Sequence, residues 1–264
     1  MSTRATWSAG SRWRRWDPHI HSPVTTLNNQ FGPDAWDEYC RRINEAAPPA
    51  AALGVTEYCS IEGYKAVIQR RDLLRHVEFI FPNVELRLAT ANKAGAAINV
   101  HLLFDPSESS HVETIESALT HLVFQYDGGK YGCTRRDLVK LGRDYDGTAN
   151  LSDDAAYEAG VNQFKVPFEA LRDWYESDQW LRDHCLIALA AGKDGTSGLK
   201  EGGLQALRED MERFAHAMFS SNAKDRDFWL ARGAAATDHE QRYGWPKACL
   251  HQGDRILTRT TSGT

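Results

Sequence analysis

A chain of 264 residues with 42% hydrophobic and 25% charged residues has the make-up of a folded globular protein, long enough for one large α/β barrel or two small domains. A net charge of −5 argues against a surface built to coat nucleic acid, and apolar runs such as "CLIALAA" are too short to span a bilayer. Five scattered cysteines (Cys40, Cys59, Cys133, Cys185, Cys249), never in a CxxC pair, argue against a disulfide framework and against a thiolate zinc site.

The first 16 residues, "MSTRATWSAGSRWRRW", contain no apolar leader segment, so the expected location is the cytoplasm. "RWDPHIHS" follows and reads as a strand, whose alternation puts His19 and His21 on one side. "DAWDEYCRRINEAA" has helical apolar spacing with Asp34 as a candidate cap, and "AALGVTEYCS" is the second strand, ending at Glu57 and Tyr58. "GYKAVIQRRDLLRH" is helical and ends in basic residues, as a helix C-terminus favours. "VEFIFPNVELRL", with Glu85, and "AAINVHLLFD", with His101, read as the third and fourth strands.

Helical patterns recur in "HVETIESALTHLVF", "TRRDLVKLGRDY" and "PFEALRDWYESDQWLRDH", the last with Pro167 in its first turn. The stretch 106–163 is longer than a simple crossover and reads as a helical insertion within one domain. "CLIALAAGKDG" ends at Lys193 and Asp194, "FAHAMFSSN" is a sixth strand, and "ACLHQGDR" ends at Asp254. Strands alternating with helices predict a parallel sheet. No glycine-rich phosphate loop follows an early strand, as an open doubly wound sheet would need. Polar residues ending many strands suit a closed barrel, where chemistry gathers at the C-terminal strand ends. "TRTTSGT" reads as a polar tail, giving a barrel domain over 1–254 and a tail over 255–264.

His19, His21, Glu57, Glu85, His101 and Asp254 collect three imidazoles and three carboxylates from different strands. Such a set suits divalent ions, which lower the pKa of bound water to about 7 and clamp the oxygens of a phosphoryl displacement.

The order HxH, then "LGVTEYCSIEGYKAV", "FPNVELRL", a strand with histidine and "KACLHQGDR" resembles the PHP (polymerase and histidinol phosphatase) superfamily. With "GSRWRRWDPHIHSP" and "FSSNAKDRDFWLARG", it is most similar to the N-terminal PHP domain of the TrlF group of ATPases, from about Gly10 to Asp254. The resemblance implies a distorted (β/α)7 TIM-like barrel and one or two Mn, Zn or Fe ions. His19, His21 and Glu85 match the core metal motifs; Glu57, His101 and Asp254 would complete the shells. Tyr58 stands where many such enzymes have a histidine ligand, and the closing D-x-H lacks its histidine, since Arg255 and Ile256 follow Asp254.

The expected activity is a metal-dependent phosphoesterase, and more narrowly a nuclease using a metal-bound hydroxide, in an ATPase-coupled phage-defence setting. Lys193 beside Asp194 would stabilise charge at the phosphate. Arg12 and Arg15 would hold phosphates and Tyr58 would orient substrate or water. Expected partners are a nucleic-acid substrate and an ATPase domain or separate ATPase chain, with no membrane; a homo-oligomer is compatible. The rivals are a barrel that lost catalysis and scaffolds an ATPase, and a small-molecule phosphatase.

Overall fold

A computed structural model describes residues 14–32, 35–91, 97–147, 150–192, 195–199, 203–233 and 236–251. Nine strands occur among them: β1 (Arg15–His21), β2 (Ala50–Tyr58), β3 (Phe79–Ala91), β4 (Ala97–Phe104), β5 (Val123–Tyr126), β6 (Gly129–Gly132), β7 (Cys185–Ala190), β8 (Ala217–Phe219) and β9 (Ala248–Leu250). The helices are α1 (Trp36–Glu45), α2 (Glu62–Ile68), α3 (His111–Leu119), α4 (Arg135–Asp146), α5 (Asp153–Gln163), α6 (Phe168–Ser177), α7 (Gln179–His184), α8 (Gln205–Phe214), α9 (Ala223–Trp229) and α10 (Ala236–Tyr243).

Seven strands form one sheet in the order β1-β2-β3-β4-β7-β8-β9. The expectation of a parallel sheet needs correction at β4, which pairs antiparallel with both β3 and β7. The reason is the connection: only 92–96 separate β3 from β4, whereas a parallel crossover takes a dozen or more residues. All other pairs of this sheet are parallel.

The sheet is strongly curled. If it were flat, β1 and β8, first and sixth in order, would lie about 24 Å apart at roughly 4.8 Å per strand. Instead the His19 ring on β1 lies 5.9 Å from the Phe219 ring on β8, and His101 of β4 lies 4.6 Å from that same ring. The expected seven strands and α/β class are present, but among the described residues β1 and β9 do not pair with each other. The barrel is therefore a curled, open sheet and not a closed ring.

Alternation sorts the two faces. Val84, Leu86 and Leu88 of β3, and Ile98, Val100, Leu102 and Phe104 of β4, are buried in the large apolar cluster that the helices complete. Asn83, Glu85, Asn99 and His101 have the opposite parity and turn to the concave side, where Leu103, Ala188, Ala217 and Phe219 form a smaller apolar floor. Burying the convex face against helices holds the sheet; the concave face is left for polar work.

The insertion at 106–163 is helical in α3, α4 and α5, but it also contains the β5–β6 hairpin. Asp127 (φ 45°) and Gly128 (φ 76°) form its two-residue turn, both in the left-handed region that such a hairpin needs. The domain boundary expected at 254 lies outside the described residues.

Candidate metal centre

The HxH stretch is shaped by an irregularity. Asp17 pairs with Leu53 and Ile20 with Val55, so three steps on β1 span two on β2. Pro18, which has no N–H for the ladder, sits in this bulge. His19 and His21 emerge beyond it on the concave side, both buried, with their Nε2 atoms 3.2 Å apart. Glu85 Oε2 lies 3.5 Å from His19 Nε2 and 3.7 Å from His21 Nε2. His101 stands opposite Glu85 in the antiparallel ladder, and its ring is 4.8 Å from that of His19. Ligand atoms from His19, Glu85 and His101 all fall within 4.8 Å of one another.

Two asparagines aim these groups. Asn83 Nδ2 donates to the Pro18 carbonyl (2.8 Å) and to Thr56 Oγ1 (2.9 Å), which fixes the amide and leaves Oδ1 as the acceptor. His101 Nδ1 sits 3.1 Å from that Oδ1, so it carries the proton and Nε2 presents a lone pair. Asn99 Nδ2 donates to Glu85 Oε1 at 2.7 Å, turning Oε2 towards the histidines. His101 Nε2 and Glu85 Oε2 are buried and make no hydrogen bond. Thr25 Oγ1 reaches His21 Nδ1 at 3.3 Å while donating to Leu27 O (2.9 Å) or Glu57 Oε1 (3.1 Å). With its single proton committed there, Thr25 accepts from His21 Nδ1–H, which leaves the imidazole Nε2 unprotonated.

This donor set fits a divalent ion. Four ligands about 2.1 Å from a tetrahedral ion lie about 3.4 Å apart, close to the 3.2, 3.5 and 3.7 Å separations among His19, His21 and Glu85. Imidazoles with a carboxylate suit Zn, Fe or Mn. Burial pushes the His101 imidazole down, to about 3, so it is a neutral donor. Burial pushes Glu85 up, but the close His19 imidazole, with those of His101 and His21, outweighs it and brings the carboxyl down to about 2. It is ionised at neutral pH, ready for a cation.

The other expected site residues are placed differently. Glu57 is buried but has opposite parity to Tyr58, and its Oε1 accepts from Thr25 Oγ1, Thr26 N (3.0 Å) and Tyr58 N (3.3 Å). It lines a separate cavity of about 360 Å³ with Cys59, Glu116 and Tyr157. Thr25 links it to His21, and Glu57 is not among the ligand atoms that fall within 4.8 Å of one another. Tyr58 does reach the concave side: its ring stacks on His21 at 5.6 Å and 12°, and its hydroxyl accepts from Asn28 Nδ2 at 2.9 Å. Arg15 lies at the start of β1, its guanidinium on the Pro48 carbonyl (3.2 Å) and near Asp17 (3.6 Å). Four strand residues, about 13 Å, separate it from His19, so it belongs to the far end of the sheet and not to the cluster. Arg12, Lys193, Asp194 and Asp254 lie outside the described residues.

Asn83 and Asn99 escaped the sequence reading. The signal was present: each lies two residues before a candidate ligand, in Asn83-x-Glu85 and Asn99-x-His101, and so shares its face.

No protein-family model matches this chain, and no curated protein matches it. Solved structures do. An amidohydrolase from Chromobacterium violaceum, with bound sulfate and no metal, is 13% identical over 92% of this chain and 88% of its own, at a TM-score of 0.42. A proposed metal-dependent phosphoesterase from Bifidobacterium adolescentis is 9% identical over 95% and 90%, at 0.44. PsfC from Pseudomonas syringae is 16% identical over 93% and 78%, at 0.38. These superpositions are loose, so no chemistry is carried over from them.

Proposed function

We propose that this protein is a metal-dependent hydrolase whose centre is built by His19, His21, Glu85 and His101. The observation that carries this reading is a pair of buried, unpartnered atoms, His101 Nε2 and Glu85 Oε2, each aimed by an asparagine that occupies the residue's other polar atom. Leaving such groups without a partner costs about 1–3 kcal/mol each. A buried cation removes that cost.

A bound divalent ion supplies Lewis acidity and makes a coordinated water acidic near neutral pH. The chain's own residues do the rest. Asn83 and Thr25 hold the protons of His101 and His21 on Nδ1, Asn99 holds the Glu85 carboxylate, and Tyr58 offers its hydroxyl beside the cluster. Burial pushes that hydroxyl's pKa up, so it acts as a neutral donor and not as an anionic ligand.

Within hydrolases, the reading narrows to phosphoesters. Support comes from the resemblance of the HxH, Glu85 and His101 stretches to the PHP superfamily. The likeness of the flanking words to the TrlF group extends it to nucleic-acid phosphodiesters and to an ATPase as working partner. Incubating the purified protein with Mn²⁺ and bis-p-nitrophenyl phosphate, then single-stranded DNA and RNA, tests each level. Turnover lost in His19→Ala supports the reading. A metal-loaded protein that leaves every phosphoester intact overturns it and returns the scaffold rival.

A further inference from the structure

Beyond Glu85, β3 carries Arg87 on the same concave face. Its guanidinium lies 5.1 Å from the centre of the Tyr58 ring, whose other neighbour in the stack is His21. A second cation is laid beside it by backbone pairing. Val166 N donates to Arg87 O (2.9 Å) and Ala89 N to Val166 O (2.8 Å), so the segment leaving α5 runs along β3 and brings Lys165 next to Arg87. Both cations converge on Asn162: Arg87 Nη1 donates to its Oδ1 at 3.2 Å, and Lys165 Nζ donates to its carbonyl.

Among the described residues, no carboxylate forms an ion pair with either cation. Other basic side chains of the fold do have a carboxylate partner, as Arg41 has Glu38 and the half-buried Arg208 has Glu212. Two half-buried like charges side by side repel, and water screens them poorly there. Burial first, and Arg87 second, push the Lys165 ammonium down to about 8. Among the described residues the arrangement lacks an anion.

We propose that Arg87 and Lys165 form an anion-binding subsite at the rim of the metal cluster, taking a phosphate group of the substrate. A planar guanidinium gives two parallel donors to phosphate oxygens, and the ammonium adds a compact charge. Tyr58, between Arg87 and His21, sets the spacing from the bound phosphate to the cluster. The identity of the anion rests on the hydrolase reading; the existence of the subsite does not.

The test is titration of inorganic phosphate into the chelator-treated 264-residue chain at constant ionic strength, followed by calorimetry. Wild type is expected to bind phosphate, with Kd raised about 10- to 100-fold in Arg87→Ala and in Lys165→Ala and largely recovered in Lys165→Arg. Circular dichroism on each variant separates lost binding from lost folding. Wild type that ignores phosphate, or folded alanine variants that bind as wild type does, would overturn the subsite. Phosphate binding without hydrolysis of any ester would leave the subsite standing and remove the hydrolase reading. Hydrolysis with an unchanged KM in Arg87→Ala would do the reverse.

Discussion

Asn83 holds His101: its Oδ1 lies 3.1 Å from the imidazole Nδ1, while its Nδ2 is tied to the Pro18 carbonyl at 2.8 Å. One side chain on β3 thus joins the bulge of β1 to the histidine of β4. The proton on His101 is set, through Asn83, by a carbonyl three strands away.

Replacing that side chain tests the linkage. Asn83→Leu leaves both the Pro18 carbonyl and the His101 Nδ1–H unpaired, and should cost about 1–3 kcal/mol of stability. Metal affinity should fall about 10- to 100-fold, the usual effect of losing such a supporting partner. Asn83→Asp keeps an acceptor for His101 and should retain more affinity than Asn83→Leu. Chelator competition ranks the two; equal affinities in wild type and Asn83→Leu would show that His101 needs no such orientation.

Gly54 should tolerate no side chain. A Cβ there would lie 2.3 Å from the Pro18 carbonyl oxygen and 2.8 Å from the Phe81 ring. Since the oxygen is backbone, β1 would have to move away from β2. Gly54→Ala is expected to lose about 1–3 kcal/mol in urea unfolding and to weaken metal binding with it. A variant as stable as wild type would mean that β1 is not held this closely.

Glu57 predicts a pH signature. Burial raises its folded-state pKa from 4.5 to about 7, against the opposing donors Thr26 N and Thr25 Oγ1. A raised carboxyl binds a proton more tightly when folded, so its contribution is full below about pH 4.5 and lost as pH rises through 7. The loss is on the order of 3 kcal/mol. Urea midpoints of chelator-treated protein should fall across this window, and Glu57→Gln should flatten the fall. Identical pH profiles for the two proteins would place the effect elsewhere.

Tyr58→Phe removes a hydroxyl that Asn28 holds near the cluster but leaves the ring stacked on His21. Turnover of a phosphodiester should drop while bound metal per chain stays the same. Metal lost in parallel with turnover would make Tyr58 a ligand.

Much of this architecture was legible because strands and helices print different periods. All seven strands of the main sheet overlap stretches recognisable as apolar runs ending in polar residues, although β3 runs on past Leu88 to Ala91. The direction of β4 was not, since it depends on a five-residue connection and not on strand composition. The β5–β6 hairpin was missed although Asp127-Gly128 is a strong turn signal, because helical patterns flank it on both sides. The helix read through "PFEALRDWYESDQWLRDH" breaks at Asp178, whose side chain caps α7 by accepting from Trp180 N at 2.8 Å. In the site, period-two spacing made His19 and His21 readable as one unit. It also shows why Glu57 and Tyr58 could not both enter the cluster: adjacent strand residues face opposite ways. Only Tyr58 faces inward.

The central claim is that His19, His21, Glu85 and His101 hold a divalent metal, and elemental analysis tests it most directly. After incubation with Mn²⁺ or Zn²⁺ and desalting, the protein should retain one or two ions per chain, against none in the His19→Ala, His21→Ala double variant. Folded wild-type protein that retains no transition metal under either condition would contradict the account.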